Sequence, residues 1–249
     1  MADLICGRNT ALEALRARPR QIRKLFLSEN VEPDEKIKNI RSLAQAAGIE
    51  LQDLSSAELS ELVGTENHQG IAARTEPLLL ASLTELLQII GKPPGARRLV
   101  VLDRVQDPVN LGKIIRSACY FGIDGLIKTE HESAPLTATA VHTSAGAAFH
   151  LPMLEVSNLQ NLFAQLKEER FWIVGTAPEA EQVLDAVPLD RDLVYVLGHE
   201  GEGLRRLTRE LTDYLVCIPS SGDFDSLNVA TAAAVVAYAL RPPGSEDYG

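Results

Sequence analysis

Two polar loops hold the residues of this chain that are best suited to chemistry. Residues 198–203, GHEGEG, follow an apolar run at 193–197, and residues 220–225, SSGDFD, follow a second run at 214–218. Runs of this length predict strands, and the pattern after each loop predicts a helix. In an open α/β sheet, ligands bind outside the carboxyl ends of the strands, where helix N-termini present free N–H groups. The two loops are therefore predicted to form one ligand site.

The glycines of the first loop do not have the spacing of a nucleotide-binding fingerprint. Gly198, Gly201 and Gly203 give G-x-x-G-x-G rather than G-x-G-x-x-G, and Glu200 and Glu202 stand where a pyrophosphate would lie. This argues against NAD or ATP, and so against a nucleotide-dependent oxidoreductase. The two carboxylates suit a ligand with a positive or amino-bearing part, whereas an ordinary tight turn is the alternative interpretation.

A third segment, residues 103–116, combines polar groups with a predicted helix. Asn110 is predicted as the N-cap of that helix, and Arg116 lies six residues later among otherwise apolar faces. An arginine beside apolar surface usually has an anionic partner or a ligand. An ion pair with Asp103 or Asp107 and contact with a ligand are equally compatible with this pattern.

The start of the last helix carries two further polar residues. Ser226 is predicted as its N-cap, whereas Asn228 falls inside the first turn. Asparagine is a poor helix former because its side chain competes for backbone hydrogen bonds. Asn228 is therefore predicted to have a task beyond helix formation.

Neither the histidines nor the cysteines have the spacing of a metal site. The sequence also lacks the motifs of metallohydrolases and serine hydrolases. The sparse, odd set of cysteines fits a reducing compartment, and neither a signal peptide nor a membrane-length apolar run is visible. We therefore expect a cytoplasmic protein without a bound metal. The residues concerned are His68, His131, His142, His150, His199, Cys6, Cys119 and Cys217.

The charge of the chain is unevenly distributed. The net charge of -10 argues weakly against a sequence-independent nucleic-acid binder. Residues 1–75, however, hold ten basic and eleven acidic side chains, so the excess acid lies in the remainder. Six basic residues near the N-terminus face only Glu13, a pattern typical of an RNA-binding surface or of a solvated helix end. We name them the basic stripe: Arg8, Arg16, Arg18, Arg20, Arg23 and Lys24.

The order of predicted elements divides the chain into two domains. Residues 1–75 predict a small α/β domain, residues 76–97 a linker, and residues 98–249 an alternation of strands and helices. Such alternation is typical of a parallel sheet that is covered on both faces. The fold class predicted is therefore α/β with a parallel sheet, preceded by a small α/β domain.

Caps and helix breakers set the predicted boundaries. In residues 1–97 we predict a helix from a capping box at Thr10, further helices over 34–47, from Ser55 and over 82–90, and strands over 22–27, 49–51 and 68–73. In residues 98–249 we predict strands over 99–102, 125–128, 171–175, 193–197 and 214–218, helices over 110–121, 137–144, 158–168 and 204–211, and a frayed tail at 241–249.

Together these segments resemble the SpoU (TrmH-like) family of RNA ribose 2′-O-methyltransferases. NLGKIIRSACYFG resembles its first motif, LVYVLGHEGEGL its second and CIPSSGDFDSLNVATAAAVVAYAL its third, in the family's order. CGRNTALEAL and HQGIAA are similar to the substrate-binding domain of the branch that methylates a 23S rRNA guanosine, and LTATAVHTSAGAAFHLP to a segment that follows motif one there. Two departures from the family pattern, Ser220-Ser221 and the acids Asp223 and Asp225, bear on the choice of RNA.

The resemblance implies a fold, a cofactor and partners that spacing alone does not reveal. The implied fold is SPOUT-like, a parallel sheet with a C-terminal trefoil knot, which is a rare exception to the rule against knotted chains. The implied cofactor is S-adenosylmethionine and the implied substrate is 23S rRNA. The implied assembly is a homodimer in which Arg116 of one chain completes the site of the other.

The resemblance also assigns roles to individual residues. The implied catalytic residues are Arg116, Asn110, Glu200, Ser226 and Asn228. The implied cofactor-binding residues are Thr176, Gly198, Glu200, Gly203, Ile218, Leu227 and Asn228. The basic stripe and the HQGIAA segment supply the expected RNA-binding residues, Arg8, Arg16, Arg18, Arg20, Arg23, His68 and Gln69.

The role of Arg116 has two versions, and the function has rivals. Arg116 resembles the family's proton-transfer residue, but a guanidinium stays protonated in proteins. It therefore either relays the proton to an RNA phosphate or stabilises the developing alkoxide. The rival functions are a tRNA 2′-O-methyltransferase, a resistance-type rRNA methylase with the same domain order, and a non-catalytic RNA-binding ribosome assembly factor. Binding of S-adenosylmethionine separates the last of these from the enzymes.

Overall fold

The structure is a computed structural model that describes residues 3–80, 82–221 and 226–241. Several features predicted from the sequence lie outside these ranges. They are the acids Asp223 and Asp225 and residues 242–249 of the predicted frayed tail.

The chain divides into two compact units. One consists of Met1–Leu78 and Leu136–His150, and the other of Leu79–Pro135 and Leu151–Gly249. The first unit contains the domain predicted at its N-terminus together with a segment from the middle of the chain. Most of the predicted linker belongs to the second unit, where it forms a strand and a helix.

The N-terminal part of the first unit is a mixed sheet with helices. Its elements are β1 (Asp3–Cys6), α1 (Arg8–Ala17), β2 (Ile22–Ser28), α2 (Glu35–Ala46), β3 (Leu51–Leu54), α3 (Ser56–Val63) and β4 (Ile71–Thr75). β4 lies between β1 and β2 and is antiparallel to both, whereas β2 and β3 are parallel. The small α/β architecture predicted for this part of the chain is confirmed.

Side-chain caps begin α2 and α3 where the sequence places helix starts. Asp34 accepts a hydrogen bond from the Ile37 N–H at 2.8 Å, which lowers the pKa of the Asp34 carboxyl below its usual value. Ser55 and Glu58 form a reciprocal capping box at the start of α3. These caps satisfy N–H groups that the first turn of a helix leaves without partners.

The predicted capping box at Thr10 is wrong. α1 begins earlier, directly after Gly7, and Thr10 is buried within the helix. Gly7 has a φ of 101°, a conformation that favours glycine and lets the chain turn from β1 straight into α1. β3 and β4 also begin later than predicted; before β4, residues 68–70 form a turn with Gln69 and Gly70 at positive φ.

The second unit contains the longer part of the chain. The remaining elements, in chain order, are β5 (Leu79–Leu80), α4 (Leu83–Ile90), β6 (Arg98–Leu102), α5 (Pro108–Tyr120), β7 (Gly125–Thr129), α6 (Ala138–Thr143), β8 (Met153–Val156), α7 (Leu159–Glu168), β9 (Trp172–Thr176), β10 (Gln182–Val183), β11 (Leu193–Leu197), α8 (Arg206–Glu210), β12 (Tyr214–Cys217) and α9 (Val229–Ala239). All of them belong to the second unit except α6, which belongs to the first.

The sheet of the second unit is parallel throughout its described strands. Its order is β10-β12-β9-β11-β6-β7-β8-β5, and each neighbouring pair runs in the same direction. β6, β7 and β11 are buried along their whole length, so both faces of the central sheet are covered. The predicted α/β class with a parallel sheet is confirmed, although β1, β5, β8 and β10 were missed.

Residues 136–150 add α6 and a short 3₁₀ turn to the first unit. The helix lies where the sequence predicts it, but it does not join the strand–helix alternation of the second unit. The His142 ring lies 3.2 Å from the Cys6 carbonyl through Nδ1, and Arg18 donates to the Phe149 carbonyl at 2.8 Å. His150 lies 2.8 Å from the Glu13 carboxylate. These contacts fix the segment on β1 and α1.

Arg98, the first residue of β6, is a fully buried cation. Its guanidinium donates to the backbone carbonyls of Leu240, Leu189 and Arg191 at 2.6 to 2.7 Å, and to that of Arg97 at 3.0 Å. Burial lowers the pKa of this guanidinium, because the charged form is poorly solvated there. One side chain thus ties the start of β6 to the end of α9 and to the segment before β11.

Replacing Arg98 with methionine is expected to lower the free energy of unfolding by about 3 kcal/mol. The apolar side chain fills similar space but leaves several carbonyls without a donor. Urea-induced unfolding followed by circular dichroism measures the change. The control is Arg206→Met, because Arg206 is exposed and its ion pair with Glu210 contributes less than about 1 kcal/mol. Equal unfolding midpoints for the two variants would contradict the role of Arg98.

Candidate functional site

Three segments of the second unit meet in a short chain of side-chain hydrogen bonds. Asn110 of α5 donates through Nδ2 to Glu200 Oε1 at 3.1 Å. Asn228, at the start of α9, donates through Nδ2 to Asn110 Oδ1 at 3.3 Å. The contacts join the first of the two glycine-bearing loops to the helix starts that follow β6 and β12. We name Asn110, Glu200 and Asn228 the amide cluster.

The caps of α5 and α9 differ from the sequence prediction. Asp107, not Asn110, caps α5 by accepting the Val109 N–H at 2.9 Å, and Pro108 is the first helical residue. Proline suits that position because its missing N–H would have had no partner. Asn110 is therefore inside the first turn and free to contact the loop.

Ser226 was wrongly predicted as the cap of α9. Asn228 fills that position, with its Oδ1 accepting the Ala230 N–H at 2.9 Å. Capping uses only the oxygen of the Asn228 amide, so its nitrogen can donate to Asn110. Asn228 thus has both the ordinary capping role and the additional task that its residue type suggested. Ser226 is exposed beside it.

The loop at 198–203 is a tight hairpin. The backbones of His199 and Gly203 exchange hydrogen bonds of 3.0 and 2.9 Å. The backbone of Gly203 approaches Gly198 so closely that a Cβ on Gly198 would lie 2.1 Å from the Gly203 carbonyl carbon. At the tip, Nδ1 of His199 accepts the N–H groups of Gly201 and Glu202 at 3.0 and 3.2 Å. The loop is thus a tight turn whose shape requires glycine at its first position.

A surface ion pair and a buried acid anchor this loop to the segment after β6. Arg104, with a φ of 65°, pairs with Glu202 at 3.0 Å. Asp103 is fully buried and accepts the Thr208 hydroxyl at 2.7 Å, with Arg205 at 2.8 Å. The Asp103 carboxylate is therefore bound by residues in α8 and directly before it. These pairs could not be predicted from local pattern, because their members lie about a hundred residues apart.

Arg116 lies on the exposed side of α5. Of the residues that the structure describes, none forms a hydrogen bond or ion pair with it, so the ion pair considered with Asp103 or Asp107 is not made. α5 packs against α9, and the same two helices expose Tyr120, Val235 and Tyr238. The structure thus brings Asn110, Glu200 and Asn228 together and leaves Arg116 facing outward.

The remaining residues predicted to hold a cofactor lie after neighbouring strands. Thr176 ends β9, and its hydroxyl donates to the Val196 carbonyl of β11 at 3.2 Å. Ile218 follows β12 and is half-buried, whereas Leu227 precedes α9 and is 49% exposed. Because β12, β9 and β11 are adjacent and parallel, their carboxyl ends share one edge of the sheet. Gly198 and Gly203 belong to the loop that follows β11 at that edge.

Ion pairs neutralise most of the basic stripe. Four of its members have carboxylate partners at 2.5 to 2.8 Å, and three of those partners come from distant parts of the sequence. Arg18 donates to a backbone carbonyl instead, and burial lowers the pKa of its guanidinium. Arg20 is exposed and pairs with no carboxylate of the described residues. The four pairs are Arg8–Asp34, Arg16–Glu13, Arg23–Glu76 and Lys24–Glu50.

His68 and Gln69 shape the turn before β4. His68 is buried, accepts the Gly70 N–H through Nδ1 at 3.0 Å, and lies 3.1 Å from the Ser60 hydroxyl through Nε2. Gln69 accepts the backbone N–H of Arg8 through its side chain and the Arg8 guanidinium through its carbonyl, both at 3.0 Å. Both residues therefore have internal structural partners.

Two further observations limit the kinds of site present. The described residues contain no group of three or more His, Cys, Asp or Glu side chains that could hold a metal ion. None of the helices in those ranges is long and apolar enough to cross a lipid bilayer.

Two protein-family models match the chain. Residues 97–238 match the SpoU rRNA Methylase family, and residues 4–81 match the family of RNA 2′-O ribose methyltransferase substrate-binding domains. The first match covers more than half of the chain, so the chain belongs to the SpoU rRNA methylase family. The resemblance seen in the three sequence motifs is confirmed.

Relatives and solved structures match over nearly the whole length. The 23S rRNA (guanosine-2′-O-)-methyltransferase RlmB of Nitrosomonas europaea is 38% identical over 235 residues, 94% of this chain and 89% of the relative. The protein of the same name from Coxiella burnetii is 37% identical over 237 residues, 95% of this chain and 94% of the relative. The SpoU methyltransferase AviRb from Streptomyces viridochromogenes, in complex with the cofactor AdoMet, has a TM-score of 0.79 and 25% identity, covering 95% of this chain and 88% of its own.

Proposed function

We propose that this protein transfers a methyl group from S-adenosylmethionine to the ribose 2′-hydroxyl of a guanosine in 23S rRNA. The amide cluster carries the proposal, because it joins the three segments that match the family motifs at one edge of the parallel sheet. The named activity of two relatives that align over nearly the whole chain supports the choice of 23S rRNA. We place the reaction in the cytoplasm because ribosomal RNA is its substrate.

The residues at this edge fit S-adenosylmethionine. The cofactor is a cation at sulfur, and the loop carries the carboxylates of Glu200 and Glu202 rather than a phosphate-binding set. The exposed apolar side chain of Leu227 offers a surface for an adenine ring. We assign the cofactor to the predicted set, Thr176, Gly198, Glu200, Gly203, Ile218, Leu227 and Asn228. When bound, it supplies an electrophilic methyl group on a sulfonium.

The strand order supports a trefoil knot. β12 pairs with β9 on the side away from β11, although β11 precedes β12 in the chain. The next element, α9, packs back on α5 and near β11. We propose that this return path passes the segments that follow β9 and β11, as a C-terminal knot requires.

An exposed apolar face supports a homodimer. Tyr120 is 75% exposed on α5, and Val235 and Tyr238 are exposed on the adjacent α9. Exposed aromatic side chains in a continuous patch mark interaction surfaces. Arg116 lies on the same helix as Tyr120 and has no partner of its own in the described ranges. We propose that this face pairs with a second copy and that Arg116 completes the partner's site.

The mechanism follows from the positions of Arg116 and the amide cluster. The attacking 2′-oxygen gains negative charge as it loses its proton, and a guanidinium aimed at it stabilises that charge. Arg116 stays protonated, so the proton leaves to another acceptor, such as an RNA phosphate. Asn110, held by Glu200 and Asn228, orients the hydroxyl or Arg116. Ser226, exposed before α9, is assigned to the same site as a polar contact for the ribose.

RNA recognition is assigned to residues 1–75. The family-model match over residues 4–81 supports this assignment, although the ion pairs of the basic stripe reduce the charge available to phosphates. Arg20 is available for a phosphate contact, because it is exposed and has no carboxylate partner among the described residues. The others, together with His68 and Gln69, act chiefly by shaping the surface around it.

Replacing Arg20 with glutamine is expected to weaken binding of a 23S rRNA fragment. It should also reduce the slope of the logarithm of the affinity against the logarithm of the salt concentration by about one. The lost contact is with a phosphate, so the loss is similar for different RNA sequences. Filter binding at several salt concentrations measures the slope. Arg41→Gln in the same unit is the control, because Arg41 is half-exposed and lies outside the stripe. A slope unchanged by Arg20→Gln counts against this role.

Methyl transfer itself is tested with purified protein and unmethylated RNA. We expect tritium from methyl-labelled S-adenosylmethionine to enter 23S rRNA and not tRNA, and to map to a ribose 2′-O of one guanosine. Transfer to tRNA alone would favour the tRNA enzyme. Absence of both transfer and calorimetrically detectable cofactor binding would favour the ribosome assembly factor, and would contradict the proposed function.

A further inference from the structure

We infer that His199 is a positioning residue that holds the 198–203 loop in shape through a neutral imidazole ring. The inference rests on the proposed function, since that loop is proposed to hold S-adenosylmethionine. It starts from one contact: Nδ1 of His199 accepts two backbone N–H groups, those of Gly201 at 3.0 Å and Glu202 at 3.2 Å. No other side chain of the described residues accepts from either group.

An accepting Nδ1 defines the protonation state of the ring. A neutral imidazole accepts at one nitrogen and donates at the other, so the proton of His199 lies on Nε2. In an imidazolium both nitrogens carry a proton, so Nδ1 can no longer accept a hydrogen bond. Its N–H would then point at the N–H groups of Gly201 and Glu202. A second proton on His199 therefore breaks both hydrogen bonds at once.

The two hydrogen bonds determine where Glu200 lies. The backbone exchange between His199 and Gly203 closes the base of the hairpin, and Nδ1 fixes its tip. Glu200 stands between these two constraints and presents its carboxylate to Asn110. Loss of the tip contacts therefore displaces Glu200 and the loop backbone, which are proposed to hold the cofactor. Arg116 and the attack on the methyl group are not directly affected.

The neighbouring charges already have other partners. Glu202 pairs with Arg104, Glu200 accepts from Asn110, and Asp103 is committed to Thr208 and an arginine. The ring of His199 is paired with no carboxylate in the described ranges. No ion pair within the described ranges therefore competes with the two N–H groups for the ring. The charged groups around the loop are Glu200, Glu202, Asp103, Arg104, Glu132 and Arg205.

The test compares His199→Asn and His199→Ala with the native chain. The Oδ1 of asparagine replaces Nδ1 as an acceptor and gains no proton in the accessible range, whereas alanine removes the acceptor. Affinity for S-adenosylmethionine is measured by calorimetry at about pH 8, where an ordinary imidazole is neutral.

The two variants are expected to differ from each other. His199→Asn should keep the native affinity, because it keeps an acceptor for the two N–H groups. His199→Ala should bind about tenfold more weakly, with the KM for the cofactor raised and kcat nearly unchanged. Melting temperatures of the variants verify that each is folded.

Two affinity results would overturn the inference: native affinity in His199→Ala, or an equal loss of affinity in His199→Asn and His199→Ala. If the native protein bound no S-adenosylmethionine at any pH, the proposed function would be wrong, but the inference would still be testable. Nitrogen-15 spectra of the free protein report the tautomer of His199. A proton on Nε2 supports the inference, and a proton on Nδ1 overturns it.

Discussion

Replacing Arg116 with alanine is expected to lower the rate of methyl transfer by at least about a hundredfold and to leave cofactor affinity within about twofold. Arg116 is exposed on α5, and in the described part of the chain its truncation breaks no hydrogen bond or ion pair. Its guanidinium is proposed to act only when charge develops on the 2′-oxygen. Incorporation of tritiated methyl groups measures kcat, and calorimetry with S-adenosylmethionine measures affinity.

Lys113→Ala is the matched control for this prediction. Lys113 is also cationic and exposed, and it lies one turn before Arg116 on the same helix. General loss of positive charge on α5 would affect both variants, whereas loss of a group aimed at the reacting oxygen affects only Arg116→Ala. Turnover near the native rate in Arg116→Ala would rule out a role for the guanidinium in the reaction.

The parallel sheet was predictable because its central strands are buried on both faces. Runs such as 99–102 and 193–197 are apolar without alternation, which is what a strand covered by helices on both sides requires. β5 and β10 were missed since each has two residues, too few for any pattern. β8 was also missed, because its short apolar start is followed by a glutamate. Strands of this kind owe their conformation to pairing with neighbours rather than to their own residues.

The caps of α5 and α9 follow signals that are present in the sequence. Asp107 followed by Pro108 is a stronger helix start than Asn110, because proline is favoured at the first helical position. Placing the cap at Ser226 put Asn228 inside the first turn, whereas Asn228 is itself the cap. Both asparagines belong to the amide cluster, and Asn228 also caps α9. The two hydrogen bonds of the cluster join residues that lie 90 and 118 positions apart, so they could not be predicted from local pattern.

The basic stripe shows the opposite error. In the sequence only Glu13 stands near these cations, whereas the fold brings Asp34, Glu50 and Glu76 to them. A charge count along the sequence therefore overestimates the positive field of the surface. The two interpretations of the loop at 198–203 also proved compatible: it is a tight turn, and it carries Glu200 to the amide cluster.

Replacing Gly198 with alanine is expected to abolish detectable binding of S-adenosylmethionine. A Cβ at this position would lie 2.1 Å from the carbonyl carbon of Gly203 and 2.4 Å from the nitrogen of Leu204, and both of these are backbone atoms. Neither can move without opening the hairpin, so the loop must adopt another shape. Glu200 then leaves Asn110, and the proposed cofactor contacts of the loop are lost together. Calorimetry measures the affinity, and thermal unfolding measures the accompanying loss of stability.

Gly201→Ala separates this steric effect from a general sensitivity of the loop. A Cβ on Gly201 would meet only the His199 ring, at 3.7 Å, which is an ordinary contact. We therefore expect Gly201→Ala to bind the cofactor with nearly native affinity. Equal loss in both variants, or full binding by Gly198→Ala, would show that the close approach of Gly203 does not determine the site.

The two variants Gly198→Ala and Arg116→Ala also test the proposed dimer when they are expressed together. A mixed dimer has one site with a native loop from one chain and a native Arg116 from the other. If Arg116 acts across the interface, equal mixing should restore about a quarter of the native activity, since half of the dimers are mixed and each has one complete site. If Arg116 acts within its own chain, no mixed dimer has a complete site, and activity should stay at the level of the separate variants.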